Sequence, residues 1–494
     1  MSILYSGTRG SETVSACEAV LRGLAPDGGL YAPANLPAFT LEEIQSLSAL
    51  AYPQRAVRVL APFFSQISED ELNEMCCAAA ERFDTDKVAP LNHISRKVSI
   101  LELFHGPTLA FKDMALTLLP HLMRASARIT GREGEILLLT ATSGDTGKAA
   151  LEGFRDVPGT RCVVYYPENG VSALQRLQMV TQRGENAHVI AVRGNFDDAQ
   201  SGVKRIFSDP KAREKLAATG RSFSSANSIN FGRLAPQIVY YFSSYVDLVE
   251  DGKIKLGDKV NFVVPTGNFG DILAGWYAKK MGLPVNKLIC ASNTNKVLTD
   301  FFETGVYDAN RPFKTTSSPS MDILISSNLE RLLYHCTDGD VQRVAGWMDE
   351  LASRRKFQVD ADVLERITED FWAGWADENS VRWEITCRFQ EDKALIDPHT
   401  AVGSRVLRDY RQETGDNTYA VLLSTASPYK FARTVSSALL PYAGGDDFAL
   451  CERMSKMSGM PLPASVPELK ELPVRHTMTC EPVGMEKALF DALP

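Results

Sequence analysis

The feature that most constrains this chain is an alternation, from about residue 98, of short apolar runs with longer segments of helical periodicity. Strands are expected at 98–104, 135–141, 161–166 and 187–193, with helices at 113–130, 146–155 and 172–183 between them. The rhythm resumes with strands at 259–265 and 287–292 around a helix that starts near 270, and a last strand is expected at 418–424. Apolar runs joined through crossover helices imply a parallel sheet with both faces covered, and such sheets bind ligands beyond the carboxyl ends of their strands.

The flanking regions read differently. Residues 1–95 contain short helices and turns, including a Pro26 to Gly29 turn signal and the Thr-x-x-Glu capping box of Thr40 and Glu43. Between 326 and 415 strand signals fade and helices rich in Glu, Arg and Asp dominate, as at 340–351. The expected organisation is an N-terminal elaboration (1–95), two interleaved α/β lobes with mostly parallel twisted sheets covered by helices (96–325), a helical insertion (326–415), and a last strand with C-terminal helices (416–494). No repeat, low-complexity tract or Ser/Gly linker separates these parts.

Charge and cysteine usage narrow the function. Against 61 Asp and Glu there are 53 Lys and Arg, a formal charge of −8, where a nucleic-acid footprint needs a basic excess. No window reaches the roughly 18 unbroken apolar residues of a membrane span, and residues 1–7 lack the charged and apolar regions of a secretory signal. Nine dispersed cysteines without a CxxC pair read as reduced core thiols, and seven scattered histidines form neither HExxH nor a Cys/His cluster. The expectation is a cytoplasmic protein acting on a small molecule, with no nucleic-acid or membrane partner and no metal held by His or Cys.

Four segments carry candidate chemistry. His105 to Asp113 places Lys112 beside Phe111 and a Gly-Pro turn at a strand-to-helix junction. Such surroundings would desolvate the amine toward the neutral form that a Schiff base needs; the alternative is a first-turn lysine facing water. Thr140 to Lys148 is a Ser/Thr/Gly loop entering a helix, suited to an anion or equally to a capped βα turn. It is not a P-loop, because Thr142 stands where the first glycine should be and Ala149 replaces the magnesium-binding Ser/Thr. Pro265 to Ile272 offers Gly267 and Gly270 before a helix, a recipe for a phosphate ester or a tight packing turn, without the GxGxxG of a dinucleotide site. Ser225 to Arg233 joins Asn227, Ser228 and Asn230 to an arginine that can clamp an anion, or is a polar loop leading into a helix.

Taken in order, the Phe111-Lys112-Asp113 lysine, the Ser143-Gly144-Asp145-Thr146-Gly147 loop, the Asn227-Ser228-Ile229-Asn230 segment and the Gly267-Asn268-Phe269-Gly270-Asp271 loop resemble the threonine synthase family. Those are pyridoxal-phosphate enzymes of the tryptophan-synthase-β fold. The resemblance runs from Ser6 to Gly10 and Gly29 to Tyr31, through Ser320 to Arg331, to Asp397 to Gly403, which is essentially the whole chain.

It implies that Lys112 carries pyridoxal 5'-phosphate and that Gly267, Asn268, Phe269, Gly270 and Asp271 receive the cofactor phosphate. Thr425, in the segment Ser424 to Phe431, would meet the pyridine nitrogen. The implied reaction converts O-phospho-L-homoserine and water to L-threonine and phosphate; a related phospho-lyase giving a 2-oxo acid is the alternative. Asn227, Ser228 and Arg233 are the candidates for holding the leaving phosphate. Thr142, Ser143, Asp145 and Thr146 would line the substrate carboxylate, with Asp145 turned elsewhere to avoid repulsion. One departure stands out: Ser427 and Tyr429 occupy positions where the family commonly has His and Ala. A monomer and a homodimer are both compatible with the sequence.

Overall fold

Residues 3–94, 97–142, 144–168, 171, 173–440 and 444–493 are described by the computed structural model, and in them the expected alternation folds into two mostly parallel sheets. The larger sheet has six strands in the spatial order Phe371–Trp375, Val285–Ser292, Val260–Pro265, Ala420–Ser424, Val98–Glu102 and Leu91–Ile94. All its pairings are parallel except the edge pair of Leu91–Ile94 with Val98–Glu102. The smaller sheet, in the order Thr479–Cys480, Ala187–Val192, Thr160–Pro167, Glu135–Ala141 and Arg221–Ser224, is parallel throughout.

The lobes interleave. The chain places Val98–Glu102 in the larger sheet, builds four strands of the smaller one, returns at Val260–Pro265, and later inserts Ala420–Ser424 between Val260–Pro265 and Val98–Glu102. Every residue of Val260–Pro265 and Ala420–Ser424 is buried, as central strands covered on both faces require. Phe262, Val263 and Val264 are fully enclosed, and each such side chain contributes about 1.5–3 kcal/mol. The helix Phe231–Glu250 is buried nearly end to end and apolar on most of its circumference, which suits an element sandwiched inside the core.

Three local outcomes differ from the sequence reading. The expected helix at 113–130 is two helices, Asp113–Leu116 and Leu119–Ile129, and Pro120 sits in the first turn of the second, where its missing N–H costs nothing. Phe371–Trp375, inside the stretch read as helical, is a parallel edge strand on Val285–Ser292. Tyr5–Gly7, Thr13–Val14 and Tyr31–Pro33 form a small antiparallel sheet in the N-terminal region. The Thr40 capping box forms as expected. Among the described residues no helix is long and apolar enough to cross a membrane.

Candidate active site

Loops leaving the carboxyl ends of Val98–Glu102, Val260–Pro265, Ala420–Ser424 and Glu135–Ala141 converge around Lys112, as open α/β sheets dictate. The lysine is held by its neighbours. Asp113 accepts from the Thr108 N–H at 2.8 Å and the Thr108 hydroxyl at 2.6 Å. A Cβ at Gly106 would collide with the Asp113 side chain, so only glycine lets the turn close this tightly. The Phe111 N–H donates to the Thr425 carbonyl at 2.8 Å and the Ser427 N–H to the Leu109 carbonyl at 3.0 Å, which joins the lysine loop to the last strand's exit. Burial raises the Asp113 carboxyl to about 6.

Lys112 is buried, with Nζ 3.4 Å from the Ser320 hydroxyl, 3.7 Å from Asp145 Oδ2 and 4.9 Å from the Phe111 ring centroid. Desolvation, against the pull of Asp145 and helped by the charges of Lys430 and Arg233, brings its pKa down to about 8. The alternative of a water-facing lysine therefore does not describe it. Asp145 is directed into this cluster: Oδ1 lies 2.6 Å from Lys430 Nζ and accepts from Gln175 Nε2 at 3.2 Å. Burial alone would raise the Asp145 carboxyl, but Lys430 and Lys112 together hold it well below the usual carboxylate range. Behind Ser320, whose N–H donates to His399 Nε2 at 3.2 Å, the opposite ring nitrogen of His399 meets Asp397 at 2.6 Å.

The loop after Val260–Pro265 is shaped to take an anion. Phe269 adopts a left-handed conformation (φ 64°) as the cap of Gly270–Lys280. The loop carbonyls are satisfied from outside: Gly267 accepts from the Ser326 hydroxyl at 2.7 Å, and Asn268 from the Asn328 N–H at 3.1 Å and side-chain amide at 3.0 Å. The N–H groups of Gly267, Asn268, Phe269, Gly270 and Asp271 have no acceptor among the described residues. Five free amides at a helix N-terminus near a desolvated lysine fit a phosphate-bearing carbonyl cofactor. The Asp271 carboxylate points away into the core, where it accepts from Tyr240 at 2.6 Å and Tyr241 at 2.8 Å, and burial raises it to about 6. Its contribution to the cradle is thus the backbone amide.

The remaining candidates divide. The Thr142 hydroxyl accepts from the Gly144 and Gly147 N–H groups at 3.0 and 2.9 Å, so it shapes the turn. Ser143 lies outside the described residues. The hydroxyls of Thr146 and Thr425 have no partner among the described residues. Asn227 is exposed and accepts from the Thr140 hydroxyl at 3.3 Å, while the Ser228 hydroxyl stands 3.5 Å from Ser327, itself 3.5 Å from the Asn268 side chain. Arg233 is buried, donates to the Ala226 carbonyl at 2.9 Å, and keeps Nε without a partner; burial brings its pKa down to about 10. A buried guanidinium with an idle N–H and no carboxylate counter-ion among the described residues is suited to an anionic ligand.

Tyr429, by contrast, points out of the site. Its hydroxyl donates to the Met460 carbonyl at 2.6 Å, and Ser427 caps the turn that follows. Sequence reasoning assigned no role to Lys430, Ser320, His399 or Arg331. Lys430 had one visible signal, a lysine among Pro428, Tyr429 and Phe431 just beyond a strand. Arg331, fully buried, donates from Nε to the Tyr31 carbonyl at 2.8 Å, from one terminal nitrogen to Asn328 at 2.5 Å and from the other to the Ile229 carbonyl. It ties the N-terminal sheet to Asn328, the residue that braces the Gly267–Asp271 loop.

Comparison with known proteins places the whole chain among related sequences and folds. Family models described as threonine synthase N terminus, pyridoxal-phosphate dependent enzyme, and threonine synthase, C-terminal match residues 4–80, 88–361 and 400–477. Threonine synthase-like 1 of Homo sapiens is 43% identical over 434 residues, covering 85% of this chain and 58% of that protein. The chain thus spans little more than half the length of that relative. A threonine synthase of Pseudomonas aeruginosa is 41% identical over 442 residues, covering 88% of this chain and 90% of that one. Among solved structures, pyridoxal-phosphate-bound threonine synthase from Brucella melitensis superposes with a TM-score of 0.89 at 36% identity, over 99% of both chains.

Proposed function

The chain belongs to the threonine synthase family of pyridoxal-phosphate-dependent enzymes, and from that premise we propose that it converts O-phospho-L-homoserine and water to L-threonine and phosphate. The observation that carries the reading is Lys112, buried with its amine brought to about 8, beside a helix N-terminus with free amides. Pyridoxal phosphate, when bound, supplies an electron sink that acidifies the substrate carbons next to the amine.

Lys112 Nζ, tethered at the centre of the cleft, is the group that moves protons at the substrate Cα, Cβ and Cγ. The amides of Gly267 to Asp271 would hold the cofactor phosphate, and Thr425, whose hydroxyl has no partner among the described residues, would donate toward or accept from the ring nitrogen. Arg233, with Asn227 and Ser228 on the same loop, would bind the departing phosphate, whose growing charge makes these contacts strongest in the transition state. The helix start at Asp145 and Thr146 would bind the substrate carboxylate through backbone N–H and hydroxyl groups. Asp145 itself is engaged with two ammonium groups, which removes the repulsion that a free carboxylate would exert. Nine unpaired cysteines support a reducing, cytosolic setting.

A phospho-lyase reading keeps one supporting observation, the 43% identity to proteins named only as threonine synthase-like 1. Incubation with O-phosphohomoserine and assay of both phosphate and amino acid separates the two. Phosphate and threonine in equal amounts support the synthase; phosphate with a 2-oxo acid and no threonine would refute it.

A further inference from the structure

We propose that Lys430 is a positioning residue for Lys112: its ammonium captures one oxygen of Asp145 and thereby limits how strongly that carboxylate holds the Lys112 ammonium. One carboxylate stands between two lysines. Lys430 Nζ takes the close place, 2.6 Å from Asp145 Oδ1, with a second bond of 2.9 Å to the Thr108 carbonyl. Lys112 is left with Asp145 Oδ2 at 3.7 Å and with the Ser320 hydroxyl, itself 3.4 Å from that same oxygen. The Lys430 side chain is 0% exposed, that of Asp145 5% and that of Lys112 10%, so water screens little of this competition.

The place of Lys430 is fixed by its surroundings. It sits in the turn Pro428–Phe431 beyond the central strand Ala420–Ser424, and Tyr429 beside it is anchored on Met460. Its second bond reaches Thr108, which also donates to Asp113, so Lys430 holds the lysine loop as well as the carboxylate. The other charged or titratable groups that face the cluster are Arg233 from Phe231–Glu250, Asp271 from Gly270–Lys280, Asp113 from the lysine's own helix, and His399 through Ser320. None of them approaches the Asp145 carboxylate as closely as Lys430 does. The arrangement has a chemical use. A lysine that must be both a nucleophile and a base needs a neutral amine near neutral pH, and an undivided buried carboxylate would keep it an ammonium.

The proposal rests on Lys112 being the reactive lysine of the site, but its test needs neither substrate nor turnover. The full chain, freed of cofactor with hydroxylamine, is labelled with acetic anhydride at a series of pH values, and acetylation of Lys112 is read by mass spectrometry relative to exposed lysines. In Lys430→Met, Asp145 acts on Lys112 alone, and the midpoint should rise by about one pH unit, about tenfold less free amine at neutral pH. Lys430→Arg retains the charge and should stay within about threefold of the parent. Asp145→Asn should move the midpoint in the opposite direction. An unchanged midpoint in Lys430→Met, or a shift of the same sign in Lys430→Met and Asp145→Asn, overturns the proposal. If Lys430→Met yields no soluble chain, the other two variants decide: an unchanged midpoint in Asp145→Asn, or a shift in Lys430→Arg as large as tenfold, refutes it. A chain that passes this test yet forms no threonine would refute the reaction assignment alone.

Discussion

The two glycines of the Gly267–Asp271 loop look interchangeable in sequence and are not so in space, which makes Gly267→Ala and Gly270→Ala a matched pair of probes of the proposed phosphate site. A Cβ on Gly267 would stand 2.9 Å from the Ser320 carbonyl oxygen and 3.2 Å from the Met321 Cα, both backbone atoms, so the 320–321 segment must retreat. That segment carries the hydroxyl bonded to Lys112. Overpacking of this kind costs about 1–3 kcal/mol. If the loop bears that strain only when its amides are drawn onto the phosphate, cofactor affinity falls roughly 5- to 150-fold. A Cβ on Gly270 meets only the Asn328 side-chain amide, at 3.4 Å, and alanine is favoured over glycine in a helix by about 1 kcal/mol. Its affinity should stay within about threefold of the parent. The assay is titration of cofactor-free chain with pyridoxal phosphate, followed by visible absorption, with thermal melts to verify folding. Equal weakening in both variants, or parent-like binding by Gly267→Ala, would refute the argument that close approach of the 320–321 backbone sets the shape of the cradle.

Other expectations follow from the same geometry. Borohydride should fix the cofactor to Lys112 and to no other residue, and Lys112→Ala should bind it only reversibly; label on a second lysine of the parent would displace the assignment. Because burial holds the Lys112 amine near 8 and only the neutral form is nucleophilic, uptake of cofactor should accelerate as pH rises from 6 and level off above about 8, whereas a flat profile would contradict a depressed amine. Arg233→Ala should retain the cofactor's colour and raise the Michaelis constant for O-phosphohomoserine roughly 10- to 100-fold, from one lost charge-assisted contact, with Arg233→Lys intermediate. Equal loss toward phosphohomoserine and homoserine would assign Arg233 elsewhere. Tyr429→Phe should lower stability by about 0.5–1.5 kcal/mol through the lost bond to Met460 and leave the absorption spectrum unchanged, which a shift of the visible band would disprove.

Much of this protein was legible in its sequence because the informative signals are local. Buried parallel strands read as apolar runs, so the strands at 135–141, 187–192 and 260–265 fall where periodicity puts them. Glycines and hydroxyls at strand exits marked three of the converging loops, and Lys112 stood out by its apolar neighbours. What the sequence left open depends on partners far along the chain. Phe371–Trp375 is interrupted by Ala373 and Gly374, both depleted in strands, and it lies between helical segments, so it becomes a strand only against Val285–Ser292. Lys430 lies 285 residues from Asp145 in sequence and 2.6 Å from it in space, and Arg331 reaches 300 residues back to Tyr31. Asp145 and Asp271 are both aspartates in the first turn of a helix after a glycine, yet one carboxylate faces two ammonium groups and the other two tyrosines. Local sequence fixes where a side chain starts; the charge it meets inside a dry interior is set by whichever distant segments the fold packs around it.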